Sequence, residues 1–325
     1  MMPTGFNLKT LNLSHIDEIY NLICNHYIED DQSLITISYP KSFIYWYLKL
    51  SPPGLIIGLC HKQKLLGLIT AVVFNMVISE LKTQVPYINF WCVQKKVRNS
   101  GLGRYLMVEM EQRLKEANMG PALLANTIPS DNSFSACRDF AIPINYEMLS
   151  SIGFLPENIS LDKVVDNHLH LMKKGDLEQV IPKLDKFSSK FHLRPNFALD
   201  GPHLLVPRKD IVYSFVKKDN GVITDFISVY RANWCCVGSA EIAGKEQIIS
   251  SAYISFYFHE SMSLTELVTH LLDKLSSYHI DQLIVRQMAD NSTINITRFA
   301  THQKFYYQYL KLKQLDPSQM LLFPL

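Results

Sequence analysis

The chain has 325 residues, of which 47% are apolar and 19% charged, and its formal net charge is +2. That length suits one large or two ordinary globular units, and the apolar share is enough for a sizeable core, which excludes a disordered chain. The near-balanced charge gives no support for a nucleic-acid-binding or polybasic membrane-binding protein.

In chain order, a helix is predicted over residues 15–26, where Ile16, Ile19, Tyr20 and Ile23 repeat at intervals of three and four. A second helix over 41–50 stops at Pro52-Pro53-Gly54. Residues 55–60 and 65–77 read as a hairpin and 87–93 as a further strand. A helix over 105–118 places Leu106, Met110, Leu114 and Ala117 on one face. A short strand over 122–125 follows, then a helix over 145–151 ending near Gly153.

The second half repeats this order. A helix over 175–187 holds Pro182 at a start or a kink. Strands over 211–216 and 222–230 flank the turn Asp219-Asn220-Gly221. A long strand over 248–258, an amphipathic helix over 264–277, a strand over 282–285, a helix near 291–299 and a strand over 305–312 complete it. Hairpin, strand, helix, strand, helix thus occurs twice. The expected fold class is α/β (α+β), with two similar tandem halves, 1–160 and 161–325, on one shared mixed β-sheet.

The six cysteines show no CxxC spacing and read as reduced core residues of a cytosolic protein. His168 and His170 are two apart, which suits a strand, and no zinc pattern is present, so no metal is expected. The start lacks a basic stretch followed by an apolar run, and residues 65–78, the longest apolar stretch, are too few to span a bilayer. A soluble, cytoplasmic monomer without a transmembrane segment is expected.

Chemistry first shows in the loop Gln94-Lys95-Lys96-Val97-Arg98-Asn99-Ser100-Gly101-Leu102-Gly103-Arg104, between a strand and a helix. A helix N-terminus offers free N–H groups and the positive end of the helix dipole, which suit phosphate. Gly101 and Gly103 stand where backbone must approach phosphate oxygens or take positive φ. Lys95, Lys96, Arg98 and Arg104 supply charge around them. A solvated basic turn is the alternative. The equivalent stretch of the second half, Phe258-His259-Glu260-Ser261-Met262-Ser263, has neither glycine nor a basic residue. Arg98-x-x-Gly101-x-Gly103 resembles the pyrophosphate loop of the GNAT acyltransferases, and no ATP-type GxxxxGK[ST] is present.

Longer stretches are more specific. Tyr27-Ile28-Glu29-Asp30-Asp31, Tyr39 and Phe43-x-x-Trp46 come first, followed by the run from Ile88-Asn89-Phe90-Trp91-Cys92-Val93 through Arg98. Cys137-Arg138, Ile144-Asn145, Phe191-His192-Leu193-Arg194-Pro195, Thr224-Asp225-Phe226-Ile227-Ser228-Val229-Tyr230 and Tyr306-Tyr307-x-Tyr309 follow in order. Together they resemble the glycylpeptide N-tetradecanoyltransferase (N-myristoyltransferase) family over roughly residues 6–325. The resemblance implies two tandem GNAT-like halves related by a pseudo-twofold and transfer of myristate from myristoyl-CoA to the N-terminal glycine of a protein or peptide. It implies that Asn89, Phe90, Trp91, Cys92 and Val93, with Lys95, Arg98, Asn99, Ser100, Gly101, Leu102, Gly103 and Arg104, hold the acyl-CoA, and that the backbone N–H groups of Phe90 and Trp91 form the oxyanion hole. It further implies a peptide site lined by Tyr27, Glu29, Asp30, Asp31, Tyr39, Ser228 and Tyr230. The terminal carboxylate, here of Leu325, would take the proton of the glycine ammonium.

Each of these residues also has an ordinary reading. The acidic run suits a solvated turn, the aromatic residues suit a core, and Ser228 and Tyr230 suit the polar face of a strand. The apolar run 320–325 suits plain packing. Several positions depart from the family pattern. The family's aromatic-basic segment upstream would precede the first residue here. Ile35 and Ile37 stand for aromatic residues, Ala141 for a histidine, Ala125 for a threonine and Thr301 near an acidic residue. Two alternatives stay open on the residues alone: an acyltransferase with another acceptor amine or a shorter acyl chain, and a non-catalytic acyl-CoA or myristoyl-peptide binding protein.

Overall fold

The computed structural model describes residues 3–27, 35–152, 167–236, 247–308 and 312–323. The first half contains β1 (Phe6–Thr10), α1 (Ile16–His26), β2 (Ile35–Ser38), α2 (Lys41–Leu48), β3 (Ile56–His61), β4 (Lys64–Ile78), β5 (Leu81–Val93), α3 (Leu102–Glu116), β6 (Leu123–Asn126), β7 (Ser133–Pro143) and α4 (Tyr146–Ser151). The second contains β8 (His170–Leu171), α5 (Leu177–Ser188), β9 (Leu193–Pro195), α6 (Phe197–Leu205), β10 (Val212–Asp219), β11 (Val222–Arg231), β12 (Asn233–Cys236), β13 (Gln247–Ile249) and β14 (Ser251–His259). It closes with α7 (Leu264–Ser277), β15 (Gln282–Arg286) and β16 (Phe299–Gln308).

Among the described residues thirteen strands share one mixed sheet, in the order β1-β3-β4-β5-β6-β16-β7-β15-β14-β11-β10-β8, with β9 attached to β4. The order reads the same from either end once counterparts are matched: β1 with β8, β3 with β10, β4 with β11, β5 with β14, β6 with β15 and β7 with β16. The last strand of each half lies within the other, β16 beside β6 and β7 beside β15. A second exchange accompanies the first. β9 pairs with the end of β4, and β2 pairs with β12, which prolongs β11. The pseudo-twofold is therefore a reciprocal trade of strands, and neither half completes its sheet alone.

The helices take the two faces that their apolar stripes dictate. α3 lays Leu102, Leu106, Met110 and Leu114 on one face of the first-half strands. α7 does the same to the second half with Leu264, Leu267, Val268, Leu271 and Leu275. The largest core unites α1, α2, α5 and α6 with the tail residues Met320, Leu321, Leu322 and Phe323. Residues 320–323 of the apolar tail are thus buried, each large side chain contributing about 1.5–3 kcal/mol.

Some elements differ from expectation. α3 starts at Leu102, three residues before the predicted helix. The strand predicted over 248–258 is split at Ser250, whose N–H is held by Asp281 at 2.8 Å. The helix expected near 291–299 is a single 3-10 turn, Asn291–Thr293, and β16 begins at Phe299. Asn291 Nδ2 donates to the Arg286 carbonyl at 2.8 Å, and the β-branched Thr293, Ile294, Ile296 and Thr297 resist continuing a helix. Among the described residues no helix is long and apolar enough to cross a membrane.

Candidate active site

The register of β4 and β5 breaks in one place. Thr70 faces Asn89 and Leu68 faces Cys92, so Ile69 alone opposes both Phe90 and Trp91. This β-bulge takes two residues out of the ladder and aims their backbone elsewhere. Phe90 holds φ at +48° although it is buried and aromatic, a conformation that costs such a residue about 1–2 kcal/mol. Its neighbours impose it. The Tyr47 hydroxyl donates to Asn89 Oδ1 at 2.7 Å, and Thr70 Oγ1 donates to the Asn89 carbonyl at 3.1 Å. The rings of Tyr27, Tyr39 and Tyr47 meet Phe90 edge-on at 5.3, 5.6 and 5.9 Å. Burial pushes the Tyr27 phenol up, and a backbone hydrogen bond from the Phe90 N–H to that phenol oxygen works against it. Parallel pairing of β5 with β6 ends at Ile88 and Leu124. The two strands part where the bulge begins.

Downstream, Lys95–Val97 form one 3-10 turn, and Asn99 and Gly101 take positive φ of 61° and 77°. Gly101 is the N-cap of α3 and no side chain caps the helix there. A Cβ at Gly101 would meet nothing within 4 Å. The first-turn N–H groups therefore open toward solvent beside the exposed Lys95, Lys96, Ser100 and Arg104. Arg98 reaches back and donates to the His26 carbonyl at 2.8 Å, tying the loop to the end of α1. Gly103 does not share the left-handed role expected of both glycines. It is an ordinary helical residue whose carbonyl accepts the Trp91 indole N–H at 3.0 Å. Leu102 is a core residue and can offer a ligand only its backbone. Burial pushes the Cys92 thiol up to about 12, so it supplies no thiolate nucleophile.

The tail reaches this place from the other half. The Leu321 N–H is bonded to the Leu193 carbonyl at 2.8 Å, and the Gln319 carbonyl accepts from the His192 N–H at 2.9 Å. Phe323 stacks on Tyr230 at 4.7 Å and on Tyr47 at 6.1 Å. Tyr47 thus separates Phe323 from Phe90, in contact with both.

The sequence matches the family model "Myristoyl-CoA:protein N-myristoyltransferase, N-terminal domain" over residues 1–137 and the corresponding C-terminal domain over residues 155–313. The chain belongs to the N-myristoyltransferase family. It is 42% identical to a putative glycylpeptide N-tetradecanoyltransferase of Acanthamoeba polyphaga mimivirus, over 99% of this chain and 90% of that one. Its fold is that of Saccharomyces cerevisiae N-myristoyltransferase solved with bound myristoyl-CoA, with a TM-score of 0.89 at 19% identity, over 100% of this chain and 90% of that one. A GCN5-related N-acetyltransferase from Anabaena variabilis matches at a TM-score of 0.50 and 10% identity, over 94% and 72%.

Within this N-myristoyltransferase the predicted substrate residues do not all line one surface. Tyr27 and Tyr39 flank Phe90. Ser228 is wholly buried and accepts from the Ser214 hydroxyl at 2.9 Å, so it faces the core and not a groove. Tyr230 is buried between Phe43, Tyr253 and Phe323 and serves as the seat of the tail. Thr301 donates to the Asp139 carbonyl at 3.0 Å. Glu29, Asp30, Asp31 and Leu325 lie outside the described residues.

The corresponding helix start of the second half is closed by the chain's own side chains. The N-terminus of α7 is capped by Ser263, which accepts from the Glu266 N–H at 3.2 Å while Glu266 accepts from the Ser263 N–H at 2.7 Å. Just before it, Asp225 accepts the N–H groups of Glu260, Ser261 and Met262 at 3.0, 3.1 and 3.2 Å, and also the Ser261 hydroxyl. A resident carboxylate thus takes up the N–H groups that precede α7. Burial works to raise its pKa, but the hydrogen bonds from Ser261, Thr224 and the backbone hold it below the usual carboxylate range. Its stabilising effect is therefore complete above the unfolded-state pKa near 3.9 and is lost as pH falls through the lower folded-state value. Asp225→Asn is expected to cost about 2–3 kcal/mol at neutral pH, read as a shift in the urea midpoint, with the difference from the parent vanishing in acid.

Proposed function

We propose that the chain transfers myristate from myristoyl-CoA to the α-amine of an N-terminal glycine, with the thioester lying in the gap between β5 and β6. The strained bulge at Phe90 carries this reading, because it takes Phe90 and Trp91 out of the strand ladder, with the Phe90 N–H against the Tyr27 hydroxyl, close to a helix N-terminus that no side chain caps. The CoA phosphates rest on the first turn of α3, and the nearby lysines and arginines add charge-assisted bonds. Arg98 reaches them by releasing the His26 carbonyl. Arg98→Ala is expected to weaken acyl-CoA binding about tenfold, measured by titration calorimetry; unchanged affinity would remove the phosphates from this loop.

The chemistry needs no covalent enzyme intermediate. The α-ammonium has a pKa near 7.7–8.0, so a modest base suffices to free it. The carboxylate of Leu325 takes that proton, and desolvation in an apolar tail strengthens it as a base. One residue, Pro324, separates Leu325 from Phe323, so Leu325 lies within about 7 Å of extended chain. The neutral amine attacks the thioester carbonyl, the C–N bond forms, and the N–H groups of Phe90 and Trp91 hold the oxyanion. Collapse breaks the C–S bond, and the departing thiolate takes the second amine proton to leave as CoA thiol. The enzyme acts as a cytoplasmic monomer in this reading.

Mass spectrometry of products tests it. The protein is incubated with acyl-CoAs of several lengths and with glycine-starting or N-acetylated, lysine-containing peptides. Myristoylation of the free glycine amine alone supports the proposal. Transfer to lysine would reassign the acceptor, and tight acyl-CoA binding without turnover would end the enzyme reading.

A further inference from the structure

A cleft of about 460 Å³ lies between α2 and the connection from α6 to β10, away from the bulge. Trp46 and Ile211 are among the apolar residues that line it, and Lys49 and Arg208 bring cations to it. The Lys49 ammonium lies over the Tyr45 ring at 4.9 Å. Among the described residues neither Lys49 nor Arg208 pairs with a carboxylate. Asp17 is taken by Lys41, and Asp210 by Arg231 at 3.2 Å. Trp46 is 3% exposed, yet its indole N–H has no hydrogen-bond partner. A buried donor left in that state costs about 1–3 kcal/mol, which a bound acceptor would recover. His203 stacks on the indole at 4.8 Å with 2° between the planes, and its Nε2 also lacks a partner. Burial, and then the charges of Arg208 and Lys49, push this imidazole down to about 4. The positive field of the cleft thus extends to its aromatic wall.

We propose that this cleft binds a phosphate monoester carried on an apolar or aromatic body. Such a phosphate carries a charge of about −1.5 to −2 and three acceptor oxygens. Two cations, the Trp46 N–H and the Ser42 hydroxyl at the cleft match that number, whereas a carboxylate would leave one cation unmatched. The exposed ring of Tyr45 suits the carrier. A nucleoside monophosphate and a phosphatidic acid share this chemistry. The inference does not rest on the acyl-transfer reading.

The test uses the indole N–H resonances of the full, ¹⁵N-labelled chain. A non-hydrolysable myristoyl-CoA analogue is present in excess to fill the α3 phosphate site. Trp46→Phe assigns the Trp46 signal, and Trp91→Phe and Trp234→Phe assign it independently by elimination. Adenosine monophosphate, a water-soluble short-chain phosphatidic acid and inorganic phosphate are titrated separately. The expected result is a saturable shift of the Trp46 signal by one ester, at concentrations at least about tenfold lower than inorganic phosphate needs; the ester that binds identifies the source. Lys49→Glu with Arg208→Glu should weaken that binding about tenfold or more. A Trp46 signal unmoved by all three to about 10 mM, equal responses to ester and inorganic phosphate, or an unchanged titration in the double variant would each overturn the proposal.

Discussion

Adding a short tag after Leu325, or deleting Leu325, is expected to lower kcat about 100-fold or more while acyl-CoA affinity stays within about twofold. Proton transfer by a positioned base contributes roughly 10²–10⁴ to a rate, and a misplacement of about 1 Å can cost 10²-fold. Deletion leaves a carboxylate on Pro324, about 3.5 Å short of its former reach. A tag moves the charge away altogether. The tail cannot slide to compensate. Leu321 is bonded to Leu193, and Phe323 is clamped by Tyr230 and Tyr47. The loop proposed to hold the CoA phosphates lies on a different element, so acyl-CoA binding should be spared. Leu325→Ala keeps the carboxylate and should keep most of the turnover. Steady-state kinetics with a glycine peptide, beside equilibrium binding of acyl-CoA, separate these outcomes. Full activity in the tagged enzyme would take the proton-accepting role away from the terminus.

Asp139→Asn is expected to lower the melting temperature by roughly 10 °C. Asp139 on β7 and Arg286 on β15 face each other across the seam between the halves. Each is 3% exposed, and they make a two-pronged pair at 2.8 and 2.9 Å. Arg286 also donates to the Tyr307 hydroxyl at 3.0 Å and lies 4.0 Å over the Phe305 ring. Removing the carboxylate leaves a buried cation without its counter-charge, which costs about 3–5 kcal/mol. In a fold of this size each kcal/mol is worth about 2–4 °C. The double variant Asp139→Asn with Arg286→Met removes the stranded charge as well and should melt above the single one. A single variant that melts within about 2 °C of the parent would show that the pair does not hold the exchanged strand in place.

The same pair shows how far the sequence could be read. β7 was not predicted as a strand. Its covered face carries the polar Ser135 and Asp139 while Ala136 and Phe140 lie on the other face, so the alternation of apolar and polar side chains that marks a half-covered strand is missing. Arg138 and Asp139 in its middle read as loop chemistry. Asp139 is acceptable there only because Arg286, 147 residues away, neutralises it. The 3-10 turn near Asn291 was read as a helix because the path of β16 between β6 and β7 is set by strands of the other half.

Local patterns determined the rest. Apolar spacing within α1, α3 and α7 states which face each helix buries, and the turns of the two hairpins follow from their own residues. The glycine-containing start of α3 and the apolar run of the tail were legible for the same reason, since each is written in adjacent residues. The tertiary structure alone decided the strand exchange, the left-handed turn of Phe90 and the carboxylate of Asp225 lodged before α7. Each depends on a partner distant in the chain, as Tyr47 and Thr70 are from Asn89, and no short-range periodicity records which distant groups will meet.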